Sequence, residues 1–160
     1  MTLHDKQKLH YGNTKGIVFL CCFRASAFFT QNVFLKIVGF PIRLSYRLFI
    51  QWILGIDIPD TTKIGNHFNL FHGFGVVVNE KTVIGDNVTI RQCTTIGNST
   101  PFSGCPVIED KVDIGANVVI IGNITIGENS TIGAGSVLTK NIPANSVVVG
   151  NPARVIKTKV

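Results

Sequence analysis

Aliphatic residues return at every sixth position along the second half of this chain. From position 84 the sequence divides into IGDNVT, IRQCTT, IGNSTP, FSGCPV, IEDKVD, IGANVV, IIGNIT, IGENST, IGAGSV and LTKNIP. The leading residue is Ile or Leu in nine of the ten units and Phe102 in the other, and the second is Gly in five. Six residues carry an α-helix through one and two-thirds turns, so such a stripe would smear over every helical face. Strand alternation accommodates the rhythm only if each strand is short and the chain turns at fixed intervals. That describes an all-β parallel β-helix: each unit makes one flat side, three sides make an eighteen-residue coil, and the aliphatic residues stack inside. Coils would lie about 4.8 Å apart, like neighbouring strands. Gly, Asn and Asp after the aliphatic position suit the corners, because they tolerate positive φ.

Ile58, Ile64 and Leu70 keep the same rhythm, with Val76 next, but run two positions out of phase with the later units. This places two extra residues in the segment Val76–Val83. Counting from Ile58 to Pro143 gives fourteen units, nearly five coils. A stacked solenoid needs capped ends. Residues 144–160 and the N-terminal segment are the candidates. The division expected is a basic, apolar helical segment over 1–54, the β-helix over 55–150 and a tail over 151–160.

Charge separates these regions. Residues 1–54 hold seven Lys or Arg against Asp5 alone, whereas residues 55–160 carry eight of each sign. A basic arm on a neutral body points to an anionic partner such as a membrane surface or a phosphorylated ligand. No helix-turn-helix, zinc-finger or RNA-binding signature is present, so no nucleic acid partner is expected. Cys21, Cys22, Cys93 and Cys105 show no metal-binding spacing, and the adjacent pair is poor disulfide material, which fits a reducing, cytoplasmic setting. The polar start, Met1 to Lys15, followed by an apolar run that ends at Arg24, matches neither a usual signal peptide nor a spanning helix.

The stretches G55-I-D-I-P, I64-G-N-H-F-N-L-F-H-G-F-G, V83-I-G-D-N-V-T-I, I132-G-A-G-S-V and V147-V-V-G-N-P-A-R-V-I resemble the hexapeptide-repeat acyltransferases, and within them the serine acetyltransferase branch. The likeness covers about residues 54–156. It implies a left-handed helix, where the usual crossover preference is right-handed. It also implies a homotrimer with acetyl-CoA in the grooves between neighbouring prisms, so that two subunits share each active site.

Acyl transfer from a thioester to a hydroxyl needs a base for the alcohol proton, donors for the developing oxyanion and a site that positions both reactants. Histidine is the side-chain type that exchanges protons near neutral pH, and Gly73 and Gly75 leave room around His72. By resemblance His72 is the base and Asp57 orients it. Eighteen-residue coils would set Asp57 under residue 75, one corner from His72 on the adjacent coil. The residue types alone also allow a turn-capping His and an Asp serving a local turn before Pro59. The resemblance further assigns Gly97 to the pantetheine and thioester region, Ala116 and Ala134 to the tunnel wall, and Thr139, Lys140 and Arg154 to the amide and phosphate end of the cofactor. Lys140 and Arg154 suit the phosphate charges of CoA.

Two positions depart from the serine enzymes. Phe71 stands where they have Asp, and Cys105, in S103-G-C-P, stands where they have His, so a free serine would lose polar partners. His67, Phe71 and Cys105 are therefore the expected acceptor-binding residues, in a setting unlike the serine site. The segments F19-L-C-C-F-R and R43-L-S-Y-R-L-F-I-Q-W-I-L-G replace a longer helical domain. In this the chain resembles the small acetyltransferases of bacterial exopolysaccharide clusters, of the colanic acid type, whose acceptors are sugar hydroxyls, often lipid-linked. Aromatic and aliphatic residues interspersed with Arg and Lys suit peripheral contact with the inner face of the membrane, and equally a helix packed on the trimer. Two rivals stand beside the transferase. One is a γ-carbonic anhydrase-like zinc lyase, for which His67 and His72 have a His-x4-His spacing but whose third ligand would come from an earlier coil. The remaining histidines, His4 and His10, precede the repeats, so no metal is expected. The other rival is a scaffold without turnover.

Overall fold

The computed structural model describes residues 13–159, so His4 and His10 lie outside the described residues. Helix α1 (Thr14–Phe28) begins where the Asn13 side chain accepts from Gly16 N at 3.1 Å, an N-cap that satisfies a donor the first helical turn leaves free. Short helices α2 (Val33–Val38) and α3 (Phe40–Tyr46) follow, and the chain then widens into a π-helix over Arg47–Ile53.

Five coils come next. The first carries β1 (Ile56–Asp57), β2 (Lys63–Ile64) and β3 (Asn69–Phe71), and the second β4 (Val76–Val78), β5 (Val83–Ile84) and β6 (Thr89–Arg91). The third has β7 (Thr95–Gly97), β8 (Val107–Ile108) and β9 (Asp113–Ile114), and the fourth β10 (Val119–Ile121), β11 (Thr125–Ile126) and β12 (Thr131–Ile132). The last has β13 (Val137–Leu138), an isolated bridge at Ile142 and β14 (Ser146–Val149), and β15 (Arg154–Thr158) folds back antiparallel on β14. Every other ladder is parallel. Strands β1, β4, β7, β10 and β13 form side A, β2, β5, β8 and β11 form side B, and β3, β6, β9, β12 and β14 form side C. The interior is the predicted aliphatic ladder: Ile58, Val78, Ile96, Ile120 and Leu138 on side A are all buried, as are their counterparts on sides B and C.

The phasing differs from the regular count at two places. Strand partners in the first two coils are twenty residues apart, yet β4 to β5 keeps the six-residue step, so the extra pair is not in Val76–Val83. It lies in the corner before β4. Between the second and third coils the offset on sides B and C is twenty-four, because the chain leaves the helix between Gly97 and Val107. Phe102 therefore joins no interior ladder and is 99% exposed. Pro101 and Pro106 lack the amide hydrogen a ladder needs, and Ser103 Oγ ties the loop instead by accepting from Ser99 N and Thr100 N, both at 3.1 Å. The count becomes fifteen sides and five coils.

The helices close the first coil. Gly16 packs where any side chain would strike the Leu70 carbonyl, since a Cβ there would lie 2.2 Å from it. Phe19, Phe23 and Tyr46 cover the open end, with Phe19 and Phe68 rings 6.2 Å apart. The Tyr46 hydroxyl, pushed up by burial and then by nearby Asp60, donates to Ile58 O at 2.7 Å. Asp60 accepts from Arg43 Nε and from Ser26 Oγ, both at 2.7 Å. Burial works to raise the Asp60 carboxyl, but the hydrogen bonds from Arg43 and Ser26 and the charge of Arg43 outweigh it and hold it below the usual value. Being more acidic folded than unfolded, Asp60 contributes stability that is complete above about pH 4 and is lost as pH falls through the folded value. Arg43→Ala should therefore cost about 2 kcal/mol at pH 7 in urea unfolding, with the difference from wild type shrinking toward pH 3.

Candidate active site

The corner between sides C and A carries the surplus pair. Phe71 is in register with Arg91, but Cys93 N donates to Phe74 O at 2.9 Å, so two residues of the first coil have no counterpart in the second. They are His72 and Gly73. His72 has φ +65 and Gly73 φ +63, and Phe74 N closes the turn by donating to His72 O at 2.8 Å. Glycine suits position 73, where φ is positive and a Cβ would sit 2.9 Å from Ile56 Cδ1. A left-handed non-glycine residue costs on the order of 1 kcal/mol or more. Here that conformation lifts the imidazole out of the ladder, and His72 is exposed with no side-chain hydrogen bond among the described residues.

Asp57 lies on the strand directly below this corner. It pairs with Val77, not with residue 75, because of the surplus pair. Gly75 N donates to Gly55 O at 2.9 Å, which stacks the His72 turn on the start of β1. The Asp57 carboxylate accepts from Gln51 Nε2 of the π-helix at 3.1 Å, and no hydrogen bond joins it to His72 among the described residues. Gln51 is a partner that sequence reasoning missed, and no periodicity links it to the repeats.

The cofactor candidates fall into three groups. Ala116 and Ala134 occupy the same corner as His72 in the third and fourth coils: Asn117 N donates to Gln92 O at 3.0 Å and Gly135 N to Ala116 O at 2.9 Å, making one continuous edge. Gly97 lies on side A, in register with Ile121, and lines with Asp57 a concavity of about 470 Å3. Thr139, Lys140 and Arg154 meet around a smaller one of about 210 Å3 in the last coil.

The acceptor candidates are not brought together within one chain. Phe71 adjoins His72. His67 occupies the corner between sides B and C, with φ 53, the position filled by Asn87, Lys111, Asn129 and Asn145 in later coils. Cys105 sits on the excursion between β7 and β8, where neighbouring Gly104 lies against Asn123. All four cysteines are unpaired.

Two residues that sequence reasoning passed over stand beside Phe71. The Arg91 guanidinium lies 5.9 Å from the Phe71 ring centre, and its Nη1 donates to Asp113 Oδ1 at 2.5 Å and to Ile114 O at 3.2 Å. A strict eighteen-residue repeat would have set Glu109 above Arg91. The six-residue excursion sets Gly115 there and Asp113 above Thr89, so Arg91 reaches Asp113 diagonally.

Against known proteins, residues 105–140 match the family model described as bacterial transferase hexapeptide (six repeats). WcaB of Escherichia coli K12, a candidate colanic acid biosynthesis acetyltransferase, is 41% identical over 126 residues, 78% of each chain. A serine acetyltransferase of Staphylococcus aureus N315 is 42% identical over 109 residues, 67% of this chain and 51% of its own. Among solved structures, soybean serine acetyltransferase complexed with serine superposes with TM-score 0.78 at 34% identity, covering 90% of this chain and 58% of that one. The Brucella abortus S19 enzyme in complex with coenzyme A gives 0.78 at 33%, covering 91% and 57%. The chain thus spans a little over half of those two structures. The solenoid matches their left-handed β-helix.

Proposed function

The chain belongs to the hexapeptide-repeat acetyltransferases, and from that premise we propose that it moves an acetyl group from acetyl-CoA to a hydroxyl of a sugar or polysaccharide precursor, with His72 as the base. The observation that carries the reading is the exposed His72, lifted out by a two-residue insertion onto the edge that Ala116 and Ala134 continue. The acceptor oxygen attacks the thioester carbonyl carbon as His72 takes its proton. Collapse of the tetrahedral intermediate breaks the carbon–sulfur bond, and the imidazolium returns the proton to the departing thiolate. Asp57 steadies the imidazole by exchanging its Gln51 partner for His72. Gly97, Ala116 and Ala134 accept the pantetheine arm, and Thr139, Lys140 and Arg154 its amide and phosphate end.

A homotrimer completes the site. His67, Cys105 and His72 occupy three different edges of one prism, so a neighbouring prism is needed to bring an acceptor-binding edge to the His72 corner. A saccharide acceptor fits Phe71 and Cys105, which themselves carry no charge to pair with an amino acid. Serine is the second reading, favoured by the superposition on a serine-bound enzyme. Thiol release from acetyl-CoA, followed by mass analysis of serine, free sugars, nucleotide sugars and lipid-linked oligosaccharides, decides between them. Acetylation of serine alone would overturn the saccharide reading, and no transfer to any acceptor would favour a scaffold.

The helical segment supports peripheral contact with the cytoplasmic face of the membrane. No helix among the described residues is long and apolar enough to cross one. Residues 13–54 contain no Asp or Glu, and Val33, Phe34, Ile37, Trp52 and Ile53 are each at least 70% exposed, flanked by Lys36 and Arg47. Such a surface suits the interface of an anionic bilayer. The protein should float with phosphatidylserine vesicles, and Lys36→Glu with Arg47→Glu should weaken that binding at least tenfold, each basic residue contributing about 1 kcal/mol. Equal binding by the double variant would count against the anionic surface.

A further inference from the structure

We propose that Phe71, Arg91 and Asp113 form the subsite that holds the acceptor sugar ring, recognising a neutral vicinal diol with Arg91 as donor and Asp113 as acceptor. This rests on the reading of His72 as the transfer centre. The three side chains stand on the outer face of side C on successive coils, Phe71 in register with Arg91 and Asp113 diagonal to it above Thr89, and the group begins at the residue preceding His72. Each contributes a different contact. The Phe71 ring offers an apolar face on which the carbon-bound hydrogens of a sugar can rest. The Arg91 guanidinium is oriented by Asp113 and the Ile114 carbonyl, both through Nη1. Its Nε and Nη2 have no hydrogen-bond partner among the described residues, and these two nitrogens form the side-on edge of the planar fork, spaced for a pair of oxygens.

Stability does not account for the arrangement. The Arg91 and Asp113 side chains are 38% and 44% exposed, and an ion pair so open to water adds little to folding. The charge balance selects the ligand. A bare guanidinium would favour a carboxylate or phosphate, but Asp113 cancels its charge and leaves a second carboxylate oxygen as an acceptor. Donor and acceptor side by side match hydroxyl groups, which both donate and accept.

Acetyl transfer is measured in the full-length protein with methyl β-D-glucopyranoside, methyl β-D-galactopyranoside, methyl β-D-glucuronoside and L-serine as acceptors. Wild type should acetylate at least one neutral glycoside. Arg91→Gln and Asp113→Asn should each raise the KM for that glycoside roughly tenfold or more, the loss expected for hydrogen bonds to charged groups, with kcat and the KM for acetyl-CoA nearly unchanged. Arg91→Lys keeps the charge without the fork and should behave like Arg91→Gln, while thermal melting confirms that all three variants fold. Glycoside transfer with unaltered KM in the variants would overturn the subsite and leave the saccharide reading standing. A loss confined to the glucuronoside would make Arg91 a carboxylate clamp and likewise overturn it. Transfer to serine and to no glycoside would defeat the saccharide reading itself.

Discussion

Replacing His72 with Ala lowers acetyl transfer by about a hundredfold or more, the usual contribution of a general base, while acetyl-CoA binding and the melting temperature change little. An alcohol is too weak an acid to attack a thioester quickly without a base at its proton, and His72 is the imidazole exposed on the edge shared with Ala116 and Ala134. Position 72 has φ +65, so alanine there adds a small backbone strain unrelated to chemistry. His72→Asn removes that ambiguity, because asparagine tolerates the left-handed region. Both variants should lose turnover equally. Unchanged turnover in His72→Asn would remove His72 from the reaction, and a loss in Ala alone would show that only the turn geometry matters. Steady-state kinetics with acetyl-CoA and the acceptor found by screening, beside a binding isotherm for CoA, give the answer.

The largest expected effect on stability is at Ile120. It stands on the fourth of the five strands of side A, in register with Ile96 below and Leu138 above, and is wholly buried. Ile120→Ala removes its branched side chain from an interior closed on three sides, where neighbouring coils are pinned by backbone ladders and cannot collapse into the void. The expected cost is roughly 2–5 kcal/mol, a fall in melting temperature of about 10 °C for a domain of this size. Phe102→Ala is the control. Its ring is larger but lies in solvent on the excursion, so the melting temperature should stay within about a degree. A small effect at Ile120 would mean that the stack is not the principal core.

The solenoid was legible because its signal is repeated. Each coil needs an inward aliphatic residue on every side, and three flat sides can be closed only at near-constant intervals, so the ladder from Ile84 to Leu138 announces itself without coordinates. The candidate site was legible in a weaker sense. His72, Asp57 and the alanine pair were found through resemblance, and their mutual placement depended on coil phasing that the repeat alone misjudged. Arg91 and Asp113 were missed for the same reason. They are twenty-two residues apart, a separation without meaning under an eighteen-residue repeat, and they meet only because the chain between Gly97 and Val107 leaves the prism.

By itself the sequence determined the architecture, the aliphatic interior and the identity of a chemically suitable histidine, because burial demands a periodic pattern and the pattern is written in residue types. The tertiary structure alone decided where the period breaks. An insertion costs little wherever a corner can bulge, so no residue type marks its position, and only the pairing of strands across coils shows that the surplus residues are His72 and Gly73. That pairing turns a histidine in a repeat into one standing clear of it, because backbone hydrogen bonds between coils fix Phe71 and Phe74, and the two residues between them pack Gly73 inward against Ile56 and Leu70 and turn His72 outward.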